Sequence, residues 1–421
     1  MTVESSKSDN IRGVAVIGGG AAGLMAAGQA ALRGSDVVVF EKMGRPGRKI
    51  CITGKGRCNI TNIAELPDFL VHFGPNGRFL RQAFSCFFAP ELMEFFETLG
   101  LDLVIERGGR VFPASGLAPD VLRALLKWAR AAGVEIKTKS VVDALIIEDG
   151  SIKGLVSGDS EFLFRKVILA TGGVSYPETG STGDGYKMAE EAGHKIVELR
   201  PALVGLETAG DSAGRLAGLD LLNVGVRFFR DAKLFKEGFG EMGFSEGGVL
   251  GPVILTLSSA VVDALKKGRR ITLSIDLKPA LDNKKLDARL LRDFKARATE
   301  PLTSLLRGLL PVELVPLALE FAGLDPMKTA SQVTKKERAD LIKWLKDFTL
   351  DVTGPFPFEG AIVTAGGVDI KEIDPRTMES RLVKGLFITG ELLDIQGDTG
   401  GYNLQAAFST GYVAGVSAAA G

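Results

Sequence analysis

Three glycines, spaced Gly18-x-Gly20-x-x-Gly23, stand where the apolar run Val14 to Ile17 gives way to a helix-forming stretch, Ala21 to Arg33. That spacing suits phosphate chemistry. The first glycine permits a tight turn, the second lets a pyrophosphate reach the backbone, and the third lets helix and strand pack closely. The helix N-terminus then offers unsatisfied N–H groups and a positive dipole end to the anion. Glu41 ends the next apolar run, at the separation where a carboxylate accepts from both hydroxyls of a ribose, and its charge disfavours a 2′-phosphate there. A second chemistry-bearing stretch is RKICITGKGRCNITN, Arg48 to Asn62, with four basic residues, two cysteines and two glycines. It shows neither a helical stripe nor strand alternation and reads as a loop. Lys49, Arg57 and backbone N–H groups there can offset pyrophosphate charge, at about 1.5–3 kcal/mol per charge-assisted bond.

The glycine fingerprint does not separate NAD from FAD. Three further features do. The segment Lys42 to Arg48, with the basic stretch after it, follows the second strand directly and would lie along the pyrophosphate and sugar-alcohol chain of a longer cofactor. The sequence ATGG at 170–173 ends another strand in small residues, suiting a loop over the adenosine end. The sequence TGELLD, Thr389 to Asp394, ends a third strand with Glu391 and Asp394, acids able to bond ribityl hydroxyls. NAD has no ribityl chain, so FAD is the expected cofactor and NAD-only binding the alternative. Only one such glycine unit is evident, so an NAD(P)H reductant would dock transiently, or another protein would supply electrons.

Other reactive groups point nowhere firm. Cys51 and Cys58 are spaced C-x6-C with two glycines between, which suits small packing residues beside a cofactor better than a redox pair. Cys86 is expected in the core. His72 and His194 are the only histidines, and no Cys/His cluster has metal-ligand spacing, so no metal is expected. No Gly-x-Ser-x-Gly elbow supports a hydrolase. Tyr176, Tyr402 and Arg110 are candidates for a proton donor or substrate clamp, each equally able to serve packing, and no catalytic acid is assigned. The run KKGRR at 266–270 reads as a solvated turn before the strand ITLSIDL.

The elements that must position these groups follow from periodicity. Val14 to Ile17, Ala21 to Arg33 and Val37 to Phe40 form a strand–helix–strand unit. The uncharged stretch Gly13 to Leu32 is too rich in glycine for a membrane helix. Helical periodicity covers 80–100 and 119–132, with Leu122, Leu125, Leu126 and Ala129 on one face. Asp149-Gly150 marks a hairpin. Residues 196–277 read as strand-rich and 282–347 as helical, with Thr334 and Glu337 forming a capping box. The fold class is α/β: a Rossmann-like FAD-binding domain with an inserted mixed β-barrel and helical domain. Its parts are residues 1–193, an insertion at 194–360 with a helical subdomain about 282–347, and a closing part at 361–421.

Composition bounds the function. The 421 residues carry 51 Lys plus Arg against 51 Asp plus Glu, so no net field draws the chain to nucleic acid or an anionic membrane. Three cysteines make a disulfide framework unexpected and fit a reducing compartment. The opening MTVESSKSDN lacks the apolar core of a signal peptide. A cytoplasmic protein without a membrane span is expected. The oligomeric state is not legible.

The segments GGGAAGLMAA, GRKICITGKGRCNITN, ATGGVSYPETGSTGDGY and VTAGGVDIKEIDPRTMESRLVKGLFITGELLDIQGDTGGYNLQAAFSTG together resemble the YhiN/BaiN-like NAD(P)/FAD-dependent oxidoreductases, over residues 14 to 411. The resemblance implies that Gly18, Gly20, Ala21 and Ala22 cradle the pyrophosphate and that Glu41 and Lys42 hold the adenosine ribose. It places Arg48, Thr53, Gly54, Arg57, Cys58 and Asn59 along the diphosphate and flavin, and Val142 at the adenine. Thr171 and Gly172 would close over that end, Gly390, Glu391 and Asp394 would meet the ribityl or phosphate region, and Asn403 and Leu404 the isoalloxazine edge. Residues 200–350 match loosely. Where that family carries Thr-His and then Ser-Gly-Pro, this chain has Ser245-Glu246 and Leu250-Gly251-Pro252, a departure that bears on the substrate and not on the cofactor. The activity implied is hydride transfer through the flavin to an apolar small molecule, such as C=C reduction in a ring compound. The alternatives are a flavin-binding redox sensor or partner-binding module without turnover, and an RNA-modifying flavoprotein, which the neutral charge balance disfavours.

Overall fold

In a computed structural model, residues 11–420 are described; the hydrophilic opening stretch lies outside them. The chain divides into two compact units, Ala202–Gly360 and the remainder. In the remainder, strand β1 (Arg12–Ile17) pairs in parallel with β2 (Val37–Glu41) on one side and with Ser160–Leu169 on the other. Glu135–Thr138 extends the sheet beyond β2, and Leu386–Ile388 joins it beside Ser160–Leu169. Both faces are covered, which is why β2 is buried at every position and reads as an apolar run from Val37 to Phe40, closed by Glu41. Ser160–Leu169 joins the parallel and antiparallel parts of one seven-stranded sheet. Its first half pairs antiparallel with Ser151–Ser157, and its second half joins β1. The Asp149-Gly150 turn forms as expected, with both residues at positive φ, 48° and 67°.

Helix α1 (Ala21–Ala31) is buried over its first ten residues. The uncharged stretch that contains it is therefore a strand, a turn and a core helix. Its neighbour is the last helix, Tyr402–Ala419, and the two touch backbone to backbone. A Cβ on Gly411 would lie 2.4 Å from the Ala22 carbonyl oxygen, and one on Gly415 would lie 2.2 Å from that of Ala26. The helices run in the same direction, so the segment from Tyr402 to Gly411 carries the last helix about 13 Å beyond Ala22.

Two expectations are corrected. Arg48–Gly56 is not a plain loop. Helix α2 (Arg48–Gly56) begins after the left-handed Gly47 and is broken by non-helical Thr53, Gly54 and Lys55. Only Ile50 of this segment is buried, so there was no apolar stripe to read. Cys86 is exposed and not in the core, because the helical turn Arg81–Cys86 points Ala83 and Phe84 inward instead.

The second unit is built on a closed barrel of six strands: Leu206–Thr208, Gly248–Leu250, Lys233–Ser245, Asp220–Arg230, Ile271–Asp276 and Phe348–Pro355, the last returning to the first. The strand-rich reading of 196–277 misses one helix here, Pro252–Lys266. Its β-branched residues favour strand locally, yet Val253, Ile254, Val261 and Val262 are buried at helical spacing. The KKGRR run forms the turn into Ile271–Asp276, with Gly268 at φ 70°. Asp282 caps the first of the following helices, and Thr334 with Glu337 forms the expected box on Lys335–Lys346. Among the described residues no helix is long and apolar enough to cross a membrane.

His194 gives this fold a pH dependence. It is 2 % exposed, with Nδ1 3.0 Å from Glu372 Oε2 and Nε2 2.8 Å from Ser380 Oγ. Backbone N–H groups of Leu382 and Val383 both donate to that oxygen, which leaves the serine hydroxyl to donate to Nε2 and Nδ1–H to donate to Glu372. The ring is therefore neutral. Burial lowers its pKa, against the upward pull of Glu372. A lowered folded value means that the unfolded chain binds the proton more readily. The stabilisation is complete above about pH 6.5 and is lost as pH falls from there through the folded value. Urea unfolding at a series of pH values should show this decline in the wild type and a flatter profile in His194→Gln, the carboxylates being common to both.

Candidate dinucleotide site

The turn between β1 and α1 is held from several sides. Gly18, at φ 103°, donates from N–H to the Phe40 carbonyl at 2.9 Å. A Cβ on Gly18 would meet the Ala170 oxygen at 2.5 Å, and one on Gly23 would meet the Gly18 oxygen at 1.9 Å. These are the tight turn and the close packing that the spacing implied. Gly20 differs: a Cβ there meets nothing within 4 Å. It faces open space at the start of α1, whose end has no side-chain cap and no acid in its first turn. Ala21 and Ala22 follow it in that turn. Such an end suits a phosphate.

Glu41 is buried and already at work. Its Oε2 accepts from Gly19 N–H at 2.9 Å and its Oε1 from Met43 N–H at 2.8 Å, while Gly47 N–H donates to the Gly19 carbonyl at 2.8 Å. The carboxylate thus braces the glycine turn from which it would reach a ribose. Lys42 is paired with Asp184 at 2.6 Å and bonded to Thr182. Ser140 N–H donates to the Glu41 carbonyl at 3.0 Å, which sets Val142 close by.

Two more glycine-bearing ends arrive at the same place. Thr171 and Gly172 follow Ala170 directly, against Gly18. The Gly390 turn comes within van der Waals range of Ala22, and its N–H donates to Thr410 Oγ1 of the last helix at 3.1 Å. Glu391 then closes a knot that no sequence signal announced. It accepts from Lys49 Nζ at 2.7 Å, from Ser175 Oγ at 2.9 Å and from Thr364 N–H at 2.7 Å. Lys49 and Glu391, read separately along the sequence, are partners here. Arg48 opens α2 and is exposed.

The far end of the site is built around the start of the last helix. Gly400 and Gly401 lie at φ 133° and 99°, and this helix also has no side-chain cap and no acid in its first turn. A Cβ on Gly401 would lie 2.4 Å from the Thr61 oxygen. Thr61 Oγ1 donates to Gln405 Oε1 at 2.6 Å, and Asn62 Nδ2 donates to the Gly400 carbonyl at 3.1 Å. These contacts seat the Thr53–Asn62 stretch beside the helix start. Asn403 holds the preceding turn, accepting from Gly397 N–H at 2.7 Å and donating to its carbonyl at 2.8 Å. Leu404 packs against the neighbouring apolar cluster. Asn76 Nδ2 donates to the Asp394 carbonyl at 2.7 Å and to its carboxylate at 3.0 Å, and burial raises that carboxyl's pKa.

Arg57 is placed differently from a free phosphate ligand. It pairs with Glu106 and its guanidinium lies 4.3 Å from the Phe112 ring centroid. Gly54 lies against Asn59, and Thr53 Oγ1 donates to the Ile50 carbonyl at 2.7 Å. Cys51 and Cys58 are free thiols. Cys58 is fully buried, and desolvation pushes its thiol up to about 12, so it carries no thiolate at neutral pH. Tyr402 is 5 % exposed, and burial first, then Asp398 and Asp68, raise its phenol. His72, to which the sequence assigned no role, sits 2.8 Å from Asp398 and stacks on Tyr402 with centroids 3.9 Å apart.

FAD fits these residues. Two uncapped helix starts lie about 13 Å apart along one direction, a span that suits a pyrophosphate at one and a flavin ring at the other. Two buried amide oxygens, Asn59 Oδ1 and Gln396 Oε1, have no hydrogen-bond partner. Buried acceptors are rarely left unpaired, and the N–H and O–H donors of FAD are of the kind these two oxygens lack. Gln396, like Ser175 and Thr364, carries no local signal in the sequence. Gly23→Ala tests the turn itself: the 1.9 Å contact should destabilise the first unit by about 1–3 kcal/mol in urea unfolding.

A family profile described as the HI0933-like protein Rossmann domain matches residues 12–417. The chain is 36 % identical over 414 residues to the 3-dehydro-bile acid delta(4,6)-reductase of Clostridium scindens, covering 96 % of this chain and 98 % of that one. It is 29 % identical to a ribosomal RNA dihydrouridine synthase of Haemophilus influenzae, covering 98 % and 99 %. Among solved structures, 3-ketosteroid delta1-dehydrogenase from Sterolibacterium denitrificans superposes with a TM-score of 0.53 at 14 % identity over 98 % of this chain and all of that one, a likeness of fold. The chain belongs to the HI0933-like family, the FAD-dependent oxidoreductases that its glycine motifs resemble.

Proposed function

We propose that this FAD-dependent oxidoreductase reduces a conjugated C=C bond in an apolar ring ketone. The observation that carries the substrate class is the end-to-end similarity to the bile acid reductase. Bound FAD supplies the hydride chemistry, which no side chain of the site provides. The protein binds, orients and shields. Gly18, Gly20, Ala21 and Ala22 hold the pyrophosphate on the first helix start, with Glu41, Lys42, Val142, Thr171 and Gly172 around the adenosine. The Lys49–Glu391 knot fixes the loops at the centre of the site, with Gly390 and Asp394 beside it along the ribityl chain. Thr53, Gly54, Asn59, Asn403 and Leu404 line the ring, and the positive end of the last helix favours negative charge developing there. Arg48, Arg57 and Cys58 shape the wall behind them. The electron donor is a transient NAD(P)H.

A second reading, reduction of uracil in RNA, has the Haemophilus relative in its favour at lower identity. Both reactions are C=C reductions, so the substrate separates them. Incubation with NAD(P)H and a 3-oxo-4,6-diene steroid should bleach the conjugated-dienone absorbance. Turnover of unmodified ribosomal RNA with the steroid untouched would transfer the proposal to the second reading.

Gly20→Ala separates the cofactor from the fold. Nothing stands within 4 Å of the added Cβ, so stability without FAD should change by under about 0.5 kcal/mol. FAD affinity, read by quenching of flavin fluorescence, should fall at least about tenfold. Unchanged affinity would remove the pyrophosphate from this turn. The wild-type protein should carry the two visible flavin bands, and mass spectrometry of the released group should identify FAD.

A further inference from the structure

The barrel gathers positive charge that the sequence scatters. The hairpin joining Asp220–Arg230 to Lys233–Ser245 exposes Arg230, Lys233 and Lys236. The turn after Pro252–Lys266 exposes Lys266, Lys267, Arg269 and Arg270. The two segments are neighbours. Arg230 pairs with Ile271 on the adjacent strand, Asp231 N–H donates to the Arg270 carbonyl at 3.0 Å, and Arg269 reaches Asp231 at 3.5 Å. Seven cations therefore share one end of the barrel in a chain of net charge zero. Asp231 lies among them, and Asp263 and Glu237 flank them on their own elements.

The tip of that hairpin sets exposed apolar groups, Ala232 and Leu234, beside the Asp231–Arg269 pair. Asp231 and Ala232 form a two-residue turn with φ 50° and 65°, a strained conformation for an alanine. Leu234 beside it is 54 % exposed between Lys233 and Lys236. Exposed Ala232 and Leu234 ringed by cations match the boundary of an anionic bilayer, where apolar groups enter the headgroup region and cations meet the lipid charge. Single-stranded RNA fits less well. It calls for open aromatic faces on which bases stack; beside the cations Arg230 covers the Phe235 ring, 4.5 Å from its centroid, and the exposed Phe239 lies farther from the tip, opposite Gly225.

We propose that this end of the barrel docks reversibly on an anionic lipid surface. The proposal goes beyond the cofactor site and is independent of the substrate assigned to it. The docking is peripheral: the hairpin tip enters the headgroup region and nothing spans the bilayer.

Flotation of the full-length, FAD-loaded protein with vesicles tests it. The wild type should float with phosphatidylcholine vesicles containing phosphatidylglycerol, remain behind with phosphatidylcholine alone, and be released at about 1 M salt. Combined Lys233→Glu, Lys236→Glu, Arg269→Glu and Arg270→Glu should weaken partitioning by about a hundredfold or more. Leu234→Ser should weaken it several-fold and leave the salt dependence in place. The flavin spectrum and melting temperature of each variant confirm that the fold persists. Equal binding to both vesicle types, full binding by the charge-reversed variant, or tighter binding to a single-stranded RNA oligonucleotide than to the anionic vesicles at the same salt would each overturn the proposal.

Discussion

Two helices touch through their backbones, and the site depends on that contact. Gly411 and Gly415 have no side chains where the last helix crosses Ala22 and Ala26, so the helices approach more closely than any larger residue permits. The crossing sets the distance and direction between the starts of the two helices. Thr410, in the same stretch, receives the Gly390 N–H and so ties the third glycine turn to the crossing. A cofactor seated on both helix starts needs this spacing held rigidly, since each partial positive charge acts only within about the first turn.

Electrostatic order around the crossing is local and nearly complete. Lys49 is neutralised by Glu391, Lys42 by Asp184 and Arg57 by Glu106. The groups left without a side-chain partner for an anion at the first helix start are the backbone N–H groups of Gly20, Ala21 and Ala22, which we propose carry the pyrophosphate. This arrangement has a physical advantage. Backbone dipoles are fixed by the fold and need no side-chain ordering when an anion arrives. The paired side chains act as rivets between loops that the chain brings from distant positions.

Much of the local geometry could be read directly because each local feature had one structural use. The fingerprint glycines were legible, and so were Glu41, the Asp149-Gly150 turn and the Thr334 box, each a short-range pattern whose geometry is decided within a few residues. Helix Pro252–Lys266 was not, because its three valines and Ile254 favour strand locally and only burial on one face makes them helical. Nor was α2, whose single buried residue, Ile50, makes no period. Cys86 was misplaced because its apolar neighbours suggested a buried segment, while the helical turn there faces Ala83 and Phe84 inward.

The sequence alone determined the family, the α/β class with a barrel, and the positions of the glycine turns, because those are encoded in contiguous runs. Tertiary structure decided partnerships: Lys49 with Glu391, His72 with Asp398, Gly401 against Thr61, and the cations of the hairpin beside those of the KKGRR turn. Each joins segments far apart along the chain. Which of the many possible partners meets which depends on how the sheet and barrel close. Local sequence carries no information about that closure until the backbone hydrogen bonds and the core are in place.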